Sequence, residues 1–263
     1  ATLGAQVVTT DPDLILYSVF GWRGKNEKPA CWNVNVPRIC YSGEALSDDK
    51  ITQVLNNGDY MIYSKRIDHP RYLRLTETEK YGWYGHDPYS LLTAPVSQKS
   101  KFCSFVYHSH VRPRENLCNQ LMKYKKIDCL GRSLNNGTSN KLANRYDTSG
   151  WGTSNIEALK PYKFNLAIEN QPLSGYLTEK IWWAFLSRTV NLYWGDPTVY
   201  DSFNRGSFLC RDDFASERQF INAIIELDQD DEAYNKMLNT NAIKDDSLID
   251  KNHLIDFLKI IKI

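Results

Sequence analysis

One short segment of the chain brings an aromatic hydroxyl, a carboxylate and a cation to the start of a predicted helix. An apolar run over 164–168 predicts a buried strand, and a loop with proline and glycine leads from it to the run YLTEK at 176–180. The N-terminus of a helix carries unpaired N–H groups and partial positive charge, which suit a phosphate. The ammonium of Lys180 would bind phosphate, the carboxylate of Glu179 would bind ribose hydroxyls, and the Tyr176 ring would lie against the base or a phosphate. A lone TEK run is typical of a solvated helix, but the strand-loop-helix context favours a nucleotide site.

The helix that carries these groups is predicted over 177–186, with Thr178 as its N-cap. Tyr176 and Lys180 are four residues apart, so they share one helix face if the first turn extends back to Tyr176. Trp182 and Trp183 are expected in the core, like most aromatic residues on a helix that packs against a sheet.

Short apolar runs alternate with helical stretches along the whole chain, which predicts parallel sheets covered by helices. Strands are expected over 14–20, 38–41, 60–63, 102–107, 127–130, 164–169 and 189–194, and helices over 48–55, 113–124, 177–186, 215–227 and 247–261. The segment 132–155 is rich in Asn, Ser, Thr and Gly and is predicted to be a long functional loop.

The polar segment 86–100 contains two prolines and lacks periodicity, so it is predicted to link two β/α domains. The expected division is 1–97, 98–245, and a terminal helix within 246–263 that packs back across the domains. Ligands of such folds bind in the crevice beyond the carboxyl ends of the strands.

The charge balance and hydropathy exclude two broad classes of protein. The 263 residues include 32 basic and 31 acidic ones, a net charge of +1, so no electrostatic grip on nucleic acid is expected. No apolar run approaches the roughly 20 residues that cross a bilayer. The sequence therefore predicts a soluble, cytoplasmic chain, with an anchor beyond either end left open.

The cysteines and histidines do not form a recognisable metal motif. The six cysteines, 31, 40, 103, 118, 129 and 210, lack a C-x-x-C pair and are predicted to be buried thiols, with a 31–40 bridge left open under oxidation. His108 and His110 lack a third ligand at fixed spacing and are interpreted as loop histidines. The D-x-D run at Asp228 and Asp230 is interpreted as a solvated turn. No metal and no cofactor are expected.

Three runs resemble the signature of a known family: YKFNLAIEN at 162–170, YLTEK at 176–180 and LYWGDP at 192–197. Together they are similar to glycosyltransferase family ten, the α-1,3/4-fucosyltransferases, in its bacterial type. Looser similarity extends to 13–21, 41–44, 68–74 and 104–121. The resemblance implies an α/β fold with two Rossmann-like domains of the GT-B type facing a central crevice, GDP-fucose as donor, and inversion at the anomeric carbon.

The resemblance also implies roles for individual residues and a type of acceptor. It implies one general base and five donor-binding residues: Glu44 as the base, Arg114 and Lys180 on the diphosphate, Asn170 and Tyr176 on the nucleotide, and Glu179 on the ribose. Asp68 is the alternative base. The expected acceptor is the 3-hydroxyl of N-acetylglucosamine or glucose in a glycan, bound by the domain at 1–97. For a bacterial-type member, the expected location is the cytoplasm with peripheral contact at the inner membrane, rather than the Golgi lumen.

Two alternatives remain open from the sequence. One is a transferase of the same architecture that uses another nucleotide sugar, and the other is a catalytically silent module that binds a glycan or a nucleotide. A silent module would be expected to lose the base or a phosphate-binding cation. Glu44 and the five donor-binding residues are all present, which favours an enzyme.

Overall fold

The computed structural model describes residues 8, 11–18, 34–76, 92–137, 151–244 and 252–261. Within these ranges the strands form two fully parallel sheets, one on either side of the linker predicted at 86–100. The first sheet has the order β1-β2-β3-β4, with β1 at Ile15–Ser18, β2 at Arg38–Tyr41, β3 at Tyr60–Tyr63 and β4 at Tyr72–Arg74.

Helices cover both faces of the first sheet. Helix α1, Asp48–Asn56, is capped by Ser47, whose side chain accepts a bond from the Lys50 N–H. The helix buries Ile51 and Val54. The C-terminal helix α7, Asn252–Ile260, packs Phe257 against Ile39 and Ile62 of this sheet. The last described segment of the chain therefore completes the core of the first domain.

The second sheet has the order β6-β5-β7-β8-β9. Its strands are β5 at Lys101–Phe105, β6 at Ile127–Cys129, β7 at Tyr162–Ile168, β8 at Val190–Trp194 and β9 at Phe208–Cys210. Its helices are α2 at Arg112–Leu121, α3 at Trp151–Leu159, α4 at Glu179–Leu186, α5 at Glu217–Gln229 and α6 at Asp231–Asn239. The chain leaves β5 toward β6 on one side and returns to β7 on the other. The carboxyl ends of β5 and β7 therefore form the topological switch point at which open α/β sheets bind ligands.

Helices cover both faces of β7 and β8, which explains why these strands are almost entirely hydrophobic. One face packs against α2, α5 and α6, with Phe164 and Leu192 in its core. The other face packs against α4, where Trp182 is fully buried beside Tyr193. Trp182 and Trp183 both lie in the buried class, in agreement with the core position predicted for them.

Two local predictions differ from the structure. The predicted loop over 132–155 ends early, because 151–159 form helix α3, and residues 138–150 lie outside the described ranges. Gly152 and Ser154 are weak helix formers, but α3 packs on α4 and buries Leu159 completely, so tertiary contact outweighs propensity. Helix α4 begins at Glu179 rather than 177, which leaves Tyr176 in the preceding loop instead of on a shared helix face with Lys180.

The two domains meet where the loop before α4 contacts the end of β3. Gly175 has φ +80°, and a Cβ atom there would lie 2.5 Å from the backbone N and Cα of Lys65. Its carbonyl accepts a bond from the Ser64 hydroxyl, and its N–H donates to Asp196 Oδ1 at 2.9 Å. Only glycine combines this left-handed conformation with so close an approach of two backbones.

We expect Gly175→Ala to reduce the free energy of unfolding by about 2–3 kcal/mol, because left-handed strain adds to a clash between domains. Gly58→Ala is the matched control, since Gly58 has φ +84° with nothing within 4 Å of the added atom. It should cost only about 1 kcal/mol. Urea unfolding of both variants measures the difference, and equal losses would show that the contact between domains contributes no stability.

Candidate active site

Tyr107 holds the switch point together. It follows β5, and its hydroxyl bridges to β7 by donating to the Leu166 carbonyl and accepting from the Ile168 N–H, each at 2.6 Å. Burial raises the pKa of Tyr107 to about 12, so the phenol stays protonated and keeps donating. The guanidinium carbon of Arg114 lies 3.7 Å from the centre of the Tyr107 ring, within cation–π distance.

Arg114, in the first turn of α2, is a buried cation without a described counter-charge. Only 1% of the residue is exposed, and its Nη2 donates to Asn170 Oδ1 at 2.5 Å. Among the described residues no carboxylate lies within 4.0 Å of its guanidinium, and its buried Nε–H has no acceptor. A buried charge is costly unless it is paired. This position therefore favours an anion arriving from the crevice.

Asn170 and Tyr176 continue the polar network from Arg114. Asn170 Nδ2 donates to the Tyr176 hydroxyl at 3.1 Å, so the side chain of Asn170 links the guanidinium to the phenol. Asn170 is exposed at the mouth of the crevice, whereas Tyr176 is 3% exposed. Burial raises the pKa of Tyr176 to about 12, and the negative charge of Glu44 on the first domain contributes to that increase.

A buried carboxylate that the sequence analysis did not assign organises the start of α4. Glu169, at the end of β7, is fully buried and accepts from the Thr178 N–H and Thr178 Oγ1, both at 2.9 Å. Thr178 is thus at the N-cap position, as predicted, but its hydroxyl does not cap the helix because Glu169 occupies it. The sequence signal for this role was a charged residue ending an otherwise apolar strand.

Gly195, just after β8, makes room for that carboxylate. A Cβ atom on Gly195 would lie 2.4 Å from Glu169 Cγ and 2.6 Å from Glu169 Cβ. Those atoms are fixed near the backbone of β7 and cannot move aside cheaply. The glycine of the LYWGDP run is therefore required by packing against Glu169.

Lys180 and Glu179 complete the group at the helix start. Lys180 Nζ lies 3.1 Å from Glu169 Oε2, 3.4 Å from Glu179 Oε1 and 2.7 Å from Thr178 Oγ1. Burial alone would lower the pKa of Lys180, but the two carboxylates outweigh it and raise the pKa above its ordinary value. The side chain of Lys180 is 14% exposed and therefore still reaches the crevice.

Glu44 lies across the crevice, four residues before α1 begins. Ser42 fixes this turn by accepting the Glu44 N–H at 3.1 Å, and the Glu44 carboxylate itself makes no hydrogen bond or ion pair with any described residue. The half-buried carboxylate is therefore available to a ligand proton. Asp68, the alternative base, is exposed on the return from β3 to β4, three residues before Arg71, which bonds the Leu55 carbonyl at the amino edge of the sheet.

The structure thus joins three of the six predicted site residues by hydrogen bonds: Arg114, Asn170 and Tyr176. Glu179 and Lys180 pair with each other at the start of α4, and Glu44 lies on the other domain. A cavity of about 380 Å³ lies elsewhere, at the start of β8, beside Arg188 and Thr189. The candidate site is instead an open crevice between the domains.

The residues considered for metal binding have other partners. Asp228 is buried rather than solvated, because Lys163 pairs with it at 3.0 Å and Lys125 pairs with it as well. Asp230 caps α6 by accepting from Ala233 N–H at 2.9 Å. His110 Nδ1 lies 2.7 Å from Glu115. In the described part of the chain, no three His, Cys, Asp or Glu side chains group together as metal ligands do.

The described cysteines, 40, 103, 118, 129 and 210, are buried and form no disulfide with one another. Cys31 lies outside the described ranges, so the proposed 31–40 pair is not described. None of the described helices is long and apolar enough to cross a bilayer, the longest being α5 with 13 residues.

Residues 96–245, more than half of the sequence, match the family model described as the C-terminal part of glycosyltransferase family 10 (fucosyltransferase). The chain belongs to this family. The matched region contains the whole second sheet and five of the six candidate residues, and it starts within the linker predicted at 86–100.

Similar curated proteins support the same assignment. The chain is 30% identical over 145 residues, 55% of its length, to a putative fucosyltransferase, R654, from Acanthamoeba polyphaga mimivirus. It is 41% identical over 98 residues, 37% of its length, to the α-(1,3)-fucosyltransferase FucT of Helicobacter pylori. These matches cover 24% and 20% of the two relatives, so the chain spans about a quarter of the length of the curated relatives it matches.

The predicted GT-B fold is confirmed by solved structures. A crystal structure of an α1,3-fucosyltransferase superposes with a TM-score of 0.73 at 24% identity, over 97% of this chain and 79% of that one. A complex of an α1,3-fucosyltransferase with GDP-fucose gives 0.69, also at 24% identity, over 97% of this chain and 79% of that one. The two sheets of this chain are therefore arranged as in a known two-domain fold.

We expect Arg114→Met to raise the free energy of unfolding by about 1–2 kcal/mol while it weakens nucleotide binding. An apolar side chain of similar length removes a buried charge that lacks a counter-charge. Arg112→Met, on the same helix but exposed, should leave stability and binding nearly unchanged. Thermal unfolding with and without GDP measures both effects, and a destabilised Arg114→Met would show that the cation is already compensated in the nucleotide-free chain.

Proposed function

We propose that this chain transfers L-fucose from GDP-fucose to a sugar hydroxyl of a glycan, with inversion at the anomeric carbon. The observation that carries the proposal is the buried guanidinium of Arg114 at the switch point of the second sheet, which has no counter-charge among the described residues. Complexes of structurally similar α1,3-fucosyltransferases with GDP and with GDP-fucose support a nucleotide-sugar donor.

Stabilisation of the leaving group follows from the fixed charges of the second domain. As the bond from the sugar to the diphosphate breaks, negative charge grows on the phosphate oxygens. Arg114 and Lys180 lie on helices that follow the paired strands β5 and β7, and Arg114 is bonded through Asn170 to Tyr176. Preorganised cations lower the barrier without reorganisation during the reaction. We therefore propose that Arg114 and Lys180 bind the diphosphate and that no general acid is needed for GDP departure.

The nucleotide contacts are assigned to the remaining donor residues. We propose that Glu179, which is 23% exposed beside Lys180, accepts bonds from the ribose hydroxyls. Asn170, exposed at the mouth of the crevice, and the buried Tyr176 bonded to it would hold the nucleotide.

Inversion requires that the acceptor hydroxyl attack from the face opposite the departing diphosphate. We propose Glu44 as the general base, because its carboxylate has no described partner and its charge reaches Tyr176 across the crevice. Base catalysis contributes typically 10²- to 10⁴-fold. Asp68 is disfavoured as the base, because the β3–β4 connection carries it toward the amino edge of the first sheet.

The remaining parts of the proposal concern the acceptor, metal and location. The acceptor would be the 3-hydroxyl of N-acetylglucosamine or glucose, bound by the domain at 1–97, and transfer would need no metal because Arg114 and Lys180 supply the positive charge. We propose a cytoplasmic location with peripheral membrane contact.

GDP should raise the melting temperature, and UDP should raise it much less. A ligand that binds only the folded state stabilises it by about 2.7 kcal/mol at a hundredfold excess over Kd. Differential scanning fluorimetry with the two diphosphates tests this. Equal shifts with both would refute the guanine preference, and no shift with either would refute the nucleotide site.

Glu44→Gln should lower kcat for fucosyl transfer by about 10²-fold or more, while GDP affinity stays near the wild-type value. The amide keeps the shape of the side chain but cannot accept the hydroxyl proton. The rate is measured as GDP release from GDP-fucose with N-acetylglucosamine- or glucose-containing acceptors, in the presence of EDTA.

Asp68→Gln serves as the control. Asp68 is exposed, and its substitution is expected to leave kcat unchanged. Near wild-type transfer by Glu44→Gln combined with loss in Asp68→Gln would move the base to Asp68. Loss of wild-type activity in EDTA that manganese restores would contradict the proposed metal independence.

A further inference from the structure

One ammonium group in the crevice is shared by two carboxylates. Lys180 Nζ lies 3.1 Å from Glu169 Oε2 and 3.4 Å from Glu179 Oε1, and it makes no other ion pair within the described ranges. The two carboxylates differ in exposure, because the Glu169 side chain is fully buried whereas that of Glu179 is 23% exposed. With Arg114 included, the positive and negative charges at the candidate diphosphate site cancel.

A diphosphate that enters this site competes with Glu169 for the same cation. GDP brings about three negative charges, since the second ionisation of a phosphate has a pKa near 6. Exposed Glu179 can move toward solvent, but Glu169 is held by Thr178 and by packing against Gly195 and cannot leave. A buried carboxylate without its counter-charge is strongly destabilised.

The charged and titratable groups around Glu169 come from four elements. These are Glu179 and Lys180 on α4, Tyr176 on the loop before it, Tyr107 after β5, and Tyr193 on β8. Burial raises the pKa of Glu169, and Lys180 is the cation that opposes this increase. The tyrosines stay protonated near neutral pH because burial raises their pKa values as well, so they do not buffer the site.

We propose that Glu169 is a positioning residue that holds Lys180 for the donor, and that it takes up a proton from solvent when the diphosphate draws the Lys180 charge away. The proton adds to one carboxylate oxygen of Glu169, and no bond of the donor changes. The neutral carboxyl still accepts from the Thr178 N–H, so the start of α4 keeps its place while the site gains the positive charge that the diphosphate needs.

The pH dependence has a definite sign. A proton taken up on binding means that GDP affinity falls as pH rises through the range between the Glu169 pKa values of the free and bound protein. Glu169→Gln keeps the acceptor oxygen and the shape of the side chain but carries no charge. Its GDP affinity should change less with pH and, at about pH 8.5, should be several-fold tighter than that of the wild type.

Isothermal titration calorimetry in buffers of different ionisation enthalpy counts the protons bound with GDP. We expect the wild type to take up a larger fraction of a proton per GDP than Glu169→Gln does at the same pH. The subtraction cancels titration of the nucleotide itself. Glu179→Gln is the comparison variant: it also removes a carboxylate near Lys180 but leaves Glu169 in place, so its proton uptake should exceed that of Glu169→Gln.

The inference rests on the proposed donor site, and the outcomes separate the two. No GDP binding by the wild type overturns both, because no diphosphate then competes for Lys180. GDP binding with equal proton uptake in wild type and Glu169→Gln overturns this inference alone. If Glu169→Gln does not fold, infrared difference spectra of the wild type decide: a protonated carboxyl band that appears with GDP supports the inference, and its absence overturns it.

Discussion

A buried guanidinium without a described counter-charge is the constraint on which the rest of the crevice depends. Arg114 is held in place from below by the Tyr107 ring, which is itself fixed by two hydrogen bonds to β7. Its single described side-chain acceptor is a neutral amide, Asn170. In the proposed function, the diphosphate of the donor offsets the energetic cost of burying this charge, so the stability of the chain without ligand and the affinity for the donor oppose each other.

A cation that does have carboxylate partners lies at the start of α4, after β7. There the cation is Lys180, and a buried carboxylate, Glu169, both neutralises it and takes the place of a conventional cap at the start of α4. One side of the crevice therefore has excess positive charge, while on the other side one ammonium group is shared by two carboxylates. A donor with a diphosphate would compensate the first side and disturb the second, which makes the protonation of Glu169 part of how the site receives its ligand.

Much of the fold could be predicted from the sequence, because apolar runs bounded by turn residues mark parallel strands. Residues 60–63 and 127–129 show this, since they lie in strands at the predicted places. Helix α3 could not be predicted, because Gly152 and Ser154 disfavour a helix and only contact with α4 compensates for them. The roles of Glu169 and Gly195 depend on two strands lying side by side, which spacing along the chain does not reveal. Tyr176, Glu179 and Lys180 were predicted from the strand-loop-helix pattern, whereas the other three site residues came from the resemblance alone. The structure adds the hydrogen bonds of Asn170 to Arg114 and Tyr176.

The close approach of Gly175 to Lys65 has a consequence for engineering. Acceptor choice in a two-domain transferase would ordinarily be altered by exchanging the first domain between relatives. Here the backbone of the donor-side loop touches the end of β3 with no room for a single methyl group, and Ser64 bonds to the same glycine carbonyl. A chimera would therefore have to take residues 64–65 and 175 from the same parent. A junction placed only at the linker would separate them.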